Sequence, residues 1–307
     1  MAQKKKPDVD PVRAKAAQMR LAQERADRRT RIIVISAVAA IILAIGGVIW
    51  KQQSQINAAR NVDASEVLGV FADGRPIVVN GNGVSSQADP NLPTLTEYFD
   101  YSCHACADLD AVMGEDLTTW ASEGHYNLEL QPVITVNMNY LKPATGASLV
   151  VAQKAPDKWV EFHHALLAYF RTQFQAGNGT VVQNLDASWK QVKQIATEVG
   201  VPADVIATFP VNAVEPYLEA SSNAWKNASV DGREPNKLGT PELVKDHSTL
   251  VTLTNDPESM RSTIKELFGF SDSATPLVDP TSAPAATEPS QSGDGQSQSE
   301  GTTTSSN

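Results

Sequence analysis

The chain has 307 residues, a formal net charge of −10 and an apolar fraction of 41%, which is enough for one or two globular domains. The acidic balance of the main part argues against nucleic acid as its partner. Lys and Arg gather instead in residues 1–31, and the only two cysteines are Cys103 and Cys106. A basic arm and one cysteine pair are therefore the features to explain.

Residues 32–50 carry no charge and are apolar along most of their length. About 20 such residues span the hydrocarbon core of a bilayer as a helix. A buried core helix of this length usually keeps a polar face. A cleaved signal peptide is the closer alternative, but its apolar region is about 7–15 residues long and a small-residue cleavage site follows it. Because Lys51 and polar residues follow here, the sequence predicts an uncleaved transmembrane helix.

The charges around this segment predict its orientation. Lys and Arg are more frequent before it than directly after it, so residues 1–31 are expected to be a basic cytoplasmic arm. The acidic remainder then lies outside the membrane, where disulfides persist. Residues 51–65 are predicted to be a linker and residues 66–270 the folded domain. Residues 271–307, rich in Ser, Thr and Pro, have little to bury and are predicted to be a disordered tail.

The folded domain is predicted to begin with a hairpin and a loop. Alternating apolar residues indicate strands at residues 67–71 and 76–79, and the Asp-Gly pair between them is a turn sequence. The loop is expected over residues 80–91, which are rich in Gly, Ser, Asn and Asp.

A strand, a helix and a second strand are predicted around the cysteines. Residues 92–101 read as a buried strand, and apolar residues recur at helical spacing from Cys103 to Gly124. Residues 126–136 alternate and indicate the second strand. A βαβ unit of this kind places its two strands parallel, with a right-handed crossover.

The rest of the domain is predicted to be a helical block followed by a hairpin and a last helix. The block covers about residues 144–228, and the hairpin pairs residues 238–244 with residues 248–253. Asp256-Pro257 is a good helix start, with Asp as the cap and Pro in the first turn. The fold class is therefore α/β.

The cysteine pair lies where a helix begins, and this position favours redox chemistry. A thiolate is the reactive form of cysteine, and the free N–H groups and dipole of a first helical turn stabilise it. Cys103 is therefore predicted to be an exposed attacking sulfur of low pKa. Cys106, three residues later, can close a disulfide with it or resolve a mixed disulfide. His104, when protonated, would lower the pKa of Cys103 further.

Two other interpretations of the cysteine pair, a zinc site and a structural disulfide, are less favourable than redox chemistry. A closed zinc site needs about four ligands, and only His104 and distant histidines could complete one. A purely structural disulfide would close a very small loop, which restricts the unfolded chain least. No metal site is predicted.

Several polar residues near the pair receive weaker assignments. His163 and His164 are expected to pack or to lie at the surface rather than to bind a ligand. Asp100 is either a proton acceptor for Cys106 or a polar residue at a strand end. Asp108 and Asp110 are expected to form a solvated face.

The stretch Glu97-Tyr98-Phe99-Asp100-Tyr101-Ser102-Cys103-His104-Ala105-Cys106 resembles the active-site strand and helix start of DsbA-like thiol–disulfide oxidoreductases. Residues 157–166 and 194–201 resemble parts of that family's inserted helical domain. Leu238-Gly239-Thr240-Pro241 resembles its cis-proline loop. The likeness covers about residues 90–270.

The resemblance implies a thioredoxin-like fold with a helical insertion, here preceded by one transmembrane helix. It implies that Cys103 is the nucleophile and Cys106 the resolving cysteine. Pro241 would be the cis-proline, and the backbone of Thr240 would bind an extended substrate segment. No cofactor is implied.

Two residues depart from the family pattern. Oxidases of the family usually have Pro-His between the cysteines, whereas this chain has His104-Ala105. Glu242 follows the proline, where the family tends to have a small or apolar residue. A carboxylate there would raise the pKa of a thiolate and make the disulfide less oxidising.

The expected function is a membrane-anchored, extracytoplasmic enzyme that forms disulfides in exported proteins carrying free thiols. A redox partner would have to reoxidise it. A reductase or isomerase on the same fold is one alternative. A non-enzymatic binding module or metal chaperone is the other.

Overall fold

The computed structural model describes residues 68–234 and 237–271, together with scattered positions between 40 and 65. Within these residues a six-stranded sheet has the order β2-β1-β4-β3-β5-β6. Its strands are β1 Ile77–Asn80, β2 Gly83–Ser85, β3 Thr94–Phe99, β4 Asn127–Pro132, β5 Glu242–Lys245 and β6 Thr249–Val251.

The strand directions match the expected βαβ unit and hairpin. β3 and β4 run parallel, with Leu95 opposite Leu128, which confirms the predicted unit. β1 is antiparallel to β4, β5 is antiparallel to β3, and β5 and β6 form the predicted hairpin. This mixed sheet with its helices is consistent with the thioredoxin-like fold expected from the sequence.

The described helices pack around this sheet. They are α1 His104–Leu109, α2 Glu115–Ser122, α3 Leu141–Lys154, α4 Trp159–Gln175, α5 Leu185–Glu198, α6 Ala203–Ala207, α7 Glu215–Asn227 and α8 Pro257–Phe268. A π-helical turn, Asp110–Gly114, joins α1 to α2. These three consecutive segments are named the cysteine helix below.

Strand β3 is buried on both faces because helices cover both sides of the sheet. All six of its residues are buried. Tyr98 faces α7, with its ring centroid 6.0 Å from that of Trp225. Phe99 points to the other side, where its ring lies 5.2 Å from that of His163 in α4. The strand that leads to the cysteines is thus held rigidly from both directions.

The last helix confirms the predicted start signal. The side chain of Asp256 accepts a hydrogen bond from Ser259 N at 2.9 Å, and Pro257 occupies the first turn. Gly269 ends the helix with a φ of 71°, a left-handed conformation that glycine adopts without a Cβ clash.

The predicted first hairpin is wrong. Residues 69–71 form a 3₁₀ turn instead of a strand, and Leu68 and Phe71, three residues apart, are both buried against the core. A short helical turn places residues at that spacing on one side. The predicted loop contains β2, so the hairpin of β1 is made with residues 83–85, where Val79 pairs with Val84.

The segments predicted for the two ends of the chain lie mostly outside the residues that the structure describes. They are the cytoplasmic arm over residues 1–31, the transmembrane helix over residues 32–50, the linker over residues 51–65 and the tail over residues 271–307. Among the residues that are described, none belongs to a helix long and apolar enough to cross a membrane.

Candidate active site

The turn between β3 and the cysteine helix fixes the position of Cys103. Cys103 is the N-cap of α1, with φ −96° and ψ 121°. Its N–H donates to Asp100 O at 2.9 Å, and its own carbonyl accepts from Ala107 N at 3.1 Å. Cys103 is only 5% exposed and Cys106 is fully buried. The expectation of an exposed Cys103 is therefore wrong, because the loop that ends at Thr240 lies against its sulfur.

The two thiols have opposite acidities. A hydrogen bond from the Cys106 side chain is the main cause that lowers the pKa of Cys103 to about 6, with the Thr240 side chain and the N–H groups of Ala105 and Cys106 adding to it. Burial opposes this shift. Burial is also the main cause that raises the pKa of Cys106 well above its usual value. One sulfur is thus suited to be a thiolate and the other a thiol.

The proline loop lies against the cysteines, although 137 residues separate Thr240 from Cys103 along the chain. The Thr240–Pro241 peptide bond is cis, as the family resemblance implied. Cys103 Sγ lies 3.4 Å from Thr240 O, to which the thiol donates. The Thr240 hydroxyl is 2.7 Å from that of Thr135. Substrate binding by Thr240 and Pro241 stays a prediction.

Asp100 anchors the loops around the pair. Its Oδ1 accepts from Ser102 N at 2.7 Å and from Ser102 Oγ at 2.6 Å. Its Oδ2 accepts from the N–H groups of residues 135–137 at 3.0, 2.9 and 3.2 Å. Both oxygens are therefore taken by donors. The backbone N–H of Asp100, and not its carboxylate, donates a hydrogen bond to Cys106. Asp100 therefore fits the role of a polar residue at a strand end better than that of a proton acceptor for Cys106.

Glu242 does not act on the thiolate as expected. Its carboxylate is buried, accepts from Trp225 Nε1 at 2.7 Å, and forms two hydrogen bonds with Arg233 at 2.6 and 2.9 Å. In the register of the sheet it lies opposite Tyr98, whose side chain faces α7. The expected increase in the pKa of the thiolate is absent, because Arg233 balances the charge on that face.

His104 lies beside the pair in an unexpected contact. Its ring stacks on Phe174 at the end of α4, with centroids 4.5 Å apart and planes inclined by 9°. The groups that lower the pKa of Cys103 are hydrogen-bond donors, and His104 is not one of them. Its catalytic role stays a prediction.

Sequence reasoning gave Glu97 no role, although it is the most perturbed carboxyl group near the cysteine helix. It is 6% exposed in β3. Burial, followed by the charge of Asp110, raises its pKa to about 8. The available signal was a single charged residue in a strand predicted to be buried, since a buried charge without a partner is costly.

The histidine pair and its neighbouring acids divide between packing and a polar cluster. His163 is buried and its ring packs on Trp159, as expected, with centroids 4.9 Å apart. Asp108 is exposed and pairs with Arg171. Asp110 does not belong to a solvated face: its side chain is 9% exposed and bonded to His164 at 2.7 Å. The π turn rotates it inward.

No protein-family model matches the chain, and no curated protein matches it. Solved structures do resemble it. MdbA of Actinomyces oris, described as a thiol–disulfide oxidoreductase, is 22% identical, over 62% of this chain and 86% of that chain, with a TM-score of 0.48.

Two further structures have similar values. Reduced DsbA of Mycobacterium tuberculosis is 18% identical, over 64% of this chain and 93% of that chain, with a TM-score of 0.44. Oxidised BdbD of Bacillus subtilis is 15% identical, over 64% and 94%, with a TM-score of 0.44. The fold and the site rest on the strand order and the cysteine geometry described above.

The acidity of Cys103 should depend on the hydrogen bond from Cys106. Cys106→Ala removes the donor, and we expect the pKa of Cys103 to rise from about 6 by about one pH unit or more. Cys106→Ser keeps a hydroxyl donor and should retain a lower pKa than the alanine variant. The pH dependence of the alkylation rate of reduced protein measures both values. Equal pKa values in the alanine variant and the parent would contradict this assignment.

Glu97 should make stability fall as the pH rises. Its pKa is about 8 in the folded protein against an ordinary value of 4.5, so the folded state holds a proton that the unfolded chain releases. The resulting stability is complete below about pH 4.5 and is lost as the pH rises through about 8. Glu97→Gln should remove this loss, which is worth at least ~1.4 kcal/mol, the value of one pKa unit.

Urea unfolding across this pH range measures the effect. Glu219→Gln, at an exposed position of α7, is the matched control and should leave the curve unchanged. Parallel stability curves for the parent and Glu97→Gln would rule the assignment out.

Proposed function

We propose that this protein is a thiol–disulfide oxidoreductase that works outside the cytoplasm and forms disulfides in exported proteins. The observation that carries the proposal is the pairing of opposite acidities. The pKa of Cys103 is lowered to about 6, while that of its neighbour Cys106 is raised. Thr240 and Pro241 lie directly beside this pair, where an extended substrate segment would bind.

The acidity of Cys103 supports the oxidising direction. Groups that stabilise its thiolate stabilise the reduced protein, and this makes the disulfide a stronger oxidant. The carboxylate of Glu242, which would act in the opposite sense, is paired with Arg233. Oxidation of substrate thiols is therefore the direction that these charges favour.

The proposed reaction is a two-step exchange. A substrate thiolate attacks Cys103 of the Cys103–Cys106 disulfide, forming a mixed disulfide, and the Cys106 sulfur leaves and takes up a proton. A second substrate thiolate then attacks the substrate sulfur of the mixed disulfide, and Cys103 leaves as a thiolate. Two electrons pass from the substrate dithiol to the cysteine pair. A redox partner must accept them before the next cycle.

The surface near the cysteines suits an unfolded chain with apolar side chains. Phe174, Val136 and Leu238 are 49%, 45% and 40% exposed. All three lie near the cysteine pair. Phe174 stacks on His104. Val136 follows Thr135, whose hydroxyl contacts that of Thr240, and Leu238 lies two residues before Thr240. A depression of about 220 Å³ beside Phe174 could hold one apolar side chain; it is lined by Met138, Phe170, Gln173, Phe174, Gly177, Asn178, Gly179, Val182 and Gln183.

We further propose that residues 32–50 anchor the protein in the membrane with residues 1–31 in the cytoplasm. The uncharged apolar segment and the basic residues before it support this orientation. It would keep the cysteine pair in a compartment where its disulfide persists.

The purified protein should oxidise reduced ribonuclease faster than it reduces insulin. Cys103→Ser should return ribonuclease oxidation to the uncatalysed rate, because it removes the attacked sulfur. Cys106→Ser, incubated with ribonuclease that already contains disulfides, should accumulate a mixed disulfide on Cys103, because the Cys103 thiolate opens a substrate disulfide and no Cys106 thiol remains to release the substrate. Recovery of active ribonuclease and non-reducing gels measure these outcomes. Fast insulin reduction without ribonuclease oxidation would favour a reductase. Activity in neither assay would exclude the proposal that the protein is a thiol–disulfide oxidoreductase.

The full chain should sediment with membranes, and its cysteine domain should be digested by protease added outside intact cells. Replacing residues 32–50 with a cleavable signal peptide should release an active domain into the soluble extracytoplasmic fraction. Full-length protein in the soluble fraction, or a domain protected until the cells are lysed, would contradict the proposed anchor and its orientation.

A further inference from the structure

A polar cluster lies where the cysteine helix meets α4. Asp110, in the π turn, contributes a carboxylate, and His163 and His164 of α4 contribute imidazoles. His164 Nδ1 is 2.7 Å from Asp110 Oδ1, and His163 Nε2 is 3.8 Å from the same oxygen. Ligand atoms of the three residues all lie within 4.8 Å of one another. The group is named the Asp-His-His cluster.

The backbone makes room for this cluster at Gly114. A Cβ added there would collide with the carboxylate of Asp110 and lie 2.9 Å from His164 Cε1. Gly114 ends the π-helical turn that carries Asp110, and such turns occur often at functional sites. The π turn and the missing side chain together allow the carboxylate to approach both imidazoles.

Neighbouring side chains fix the orientation of His163. Its Nδ1 is 2.8 Å from the Tyr101 hydroxyl, and that hydroxyl donates its proton to Ser148 Oγ at 2.9 Å. Nδ1–H must therefore be the donor to Tyr101, which leaves Nε2 with a free lone pair. This nitrogen faces Asp110 at 3.8 Å, beyond hydrogen-bonding distance. Within the part of the chain that the structure describes, no group lies within hydrogen-bonding distance of this nitrogen, in a residue that is 2% exposed.

We propose that the Asp-His-His cluster binds a divalent transition-metal ion of the zinc type. The ligands are Asp110 Oδ1, His163 Nε2 and His164 Nδ1, and water fills the fourth position. Two imidazoles and one carboxylate are a donor set that zinc accepts. Tetrahedral zinc ligands at ~2.0–2.1 Å lie about 3.3 Å apart. This value lies between the two separations of an imidazole nitrogen from Asp110 Oδ1, 2.7 and 3.8 Å, and the two imidazole nitrogens lie within 4.8 Å of each other.

Supporting contacts exist for both histidines, as metal ligands require. Tyr101 accepts the second ring proton of His163, and Thr118 Oγ1, 3.4 Å from His164 Nε2, can accept that of His164. The ion would replace the direct hydrogen bond between His164 and Asp110. It would tie the cysteine helix to α4, the helix whose far end carries Phe174.

Zinc binding should be measured on the full chain with Cys103→Ser and Cys106→Ser, so that thiolates cannot bind the ion. After removal of metal with a chelator, titration against a chromogenic zinc indicator should show one equivalent per chain. Cobalt(II) should give the visible absorption of a four-coordinate site. His164→Gln in this background should weaken binding at least ~10-fold. His164 is 26% exposed, so this substitution should be tolerated by the fold.

His247→Gln is the matched control, because His247 also pairs with a carboxylate, that of Glu129, but lies outside the cluster. It should leave zinc affinity unchanged. Zinc should raise the melting temperature of the serine background and not that of His164→Gln. Asp110→Asn provides a second variant and should also lose binding. Absence of bound zinc in the serine background, or equal affinity in His164→Gln, would overturn the proposal.

Discussion

The hydrogen bond from the buried Cys106 thiol to Cys103 is the interaction on which the proposed chemistry depends. It is the main cause of the low pKa of Cys103, and it requires Cys106 to remain a thiol. Burial keeps it so, because a second thiolate at this depth would be poorly solvated. The two cysteines are separated by two residues at the start of a helix, which brings their sulfurs together. The rest of the domain holds this helix start in place.

A single carboxylate organises the surroundings of this pair. Asp100 gathers the turn at Ser102 and residues 135–137 around its two oxygens. Thr135 then meets Thr240 across a distance of 2.7 Å. Three segments far apart in the sequence are therefore joined by one chain of hydrogen bonds. The fully buried carboxylate at its centre has both oxygens satisfied, which favours one arrangement of these segments.

Local patterns in the sequence were enough for most of the elements, the first hairpin excepted, but not for the partners of buried polar groups. Helical spacing after Cys103 and the Asp-Pro start of α8 act over a few residues, so both were predicted correctly. The inward turn of Asp110 depends on one extra residue in a π turn, which no period of 3.6 reveals. The neutral environment of Glu242 depends on Arg233, which only the folded chain brings to it. Roles that rest on such distant pairs need coordinates.

The two edges of the sheet bear on how the domain would bind the unfolded substrates proposed above. Strands β2 and β6 have three residues each, so neither edge offers a long row of free backbone groups. Long open edges recruit other extended polypeptides and start aggregation. Because both edge strands are this short, a substrate chain could not add a long strand to the sheet by backbone hydrogen bonds and remain bound there. It would be held mainly through sulfur and a few backbone contacts, and it could depart once its own disulfide has formed.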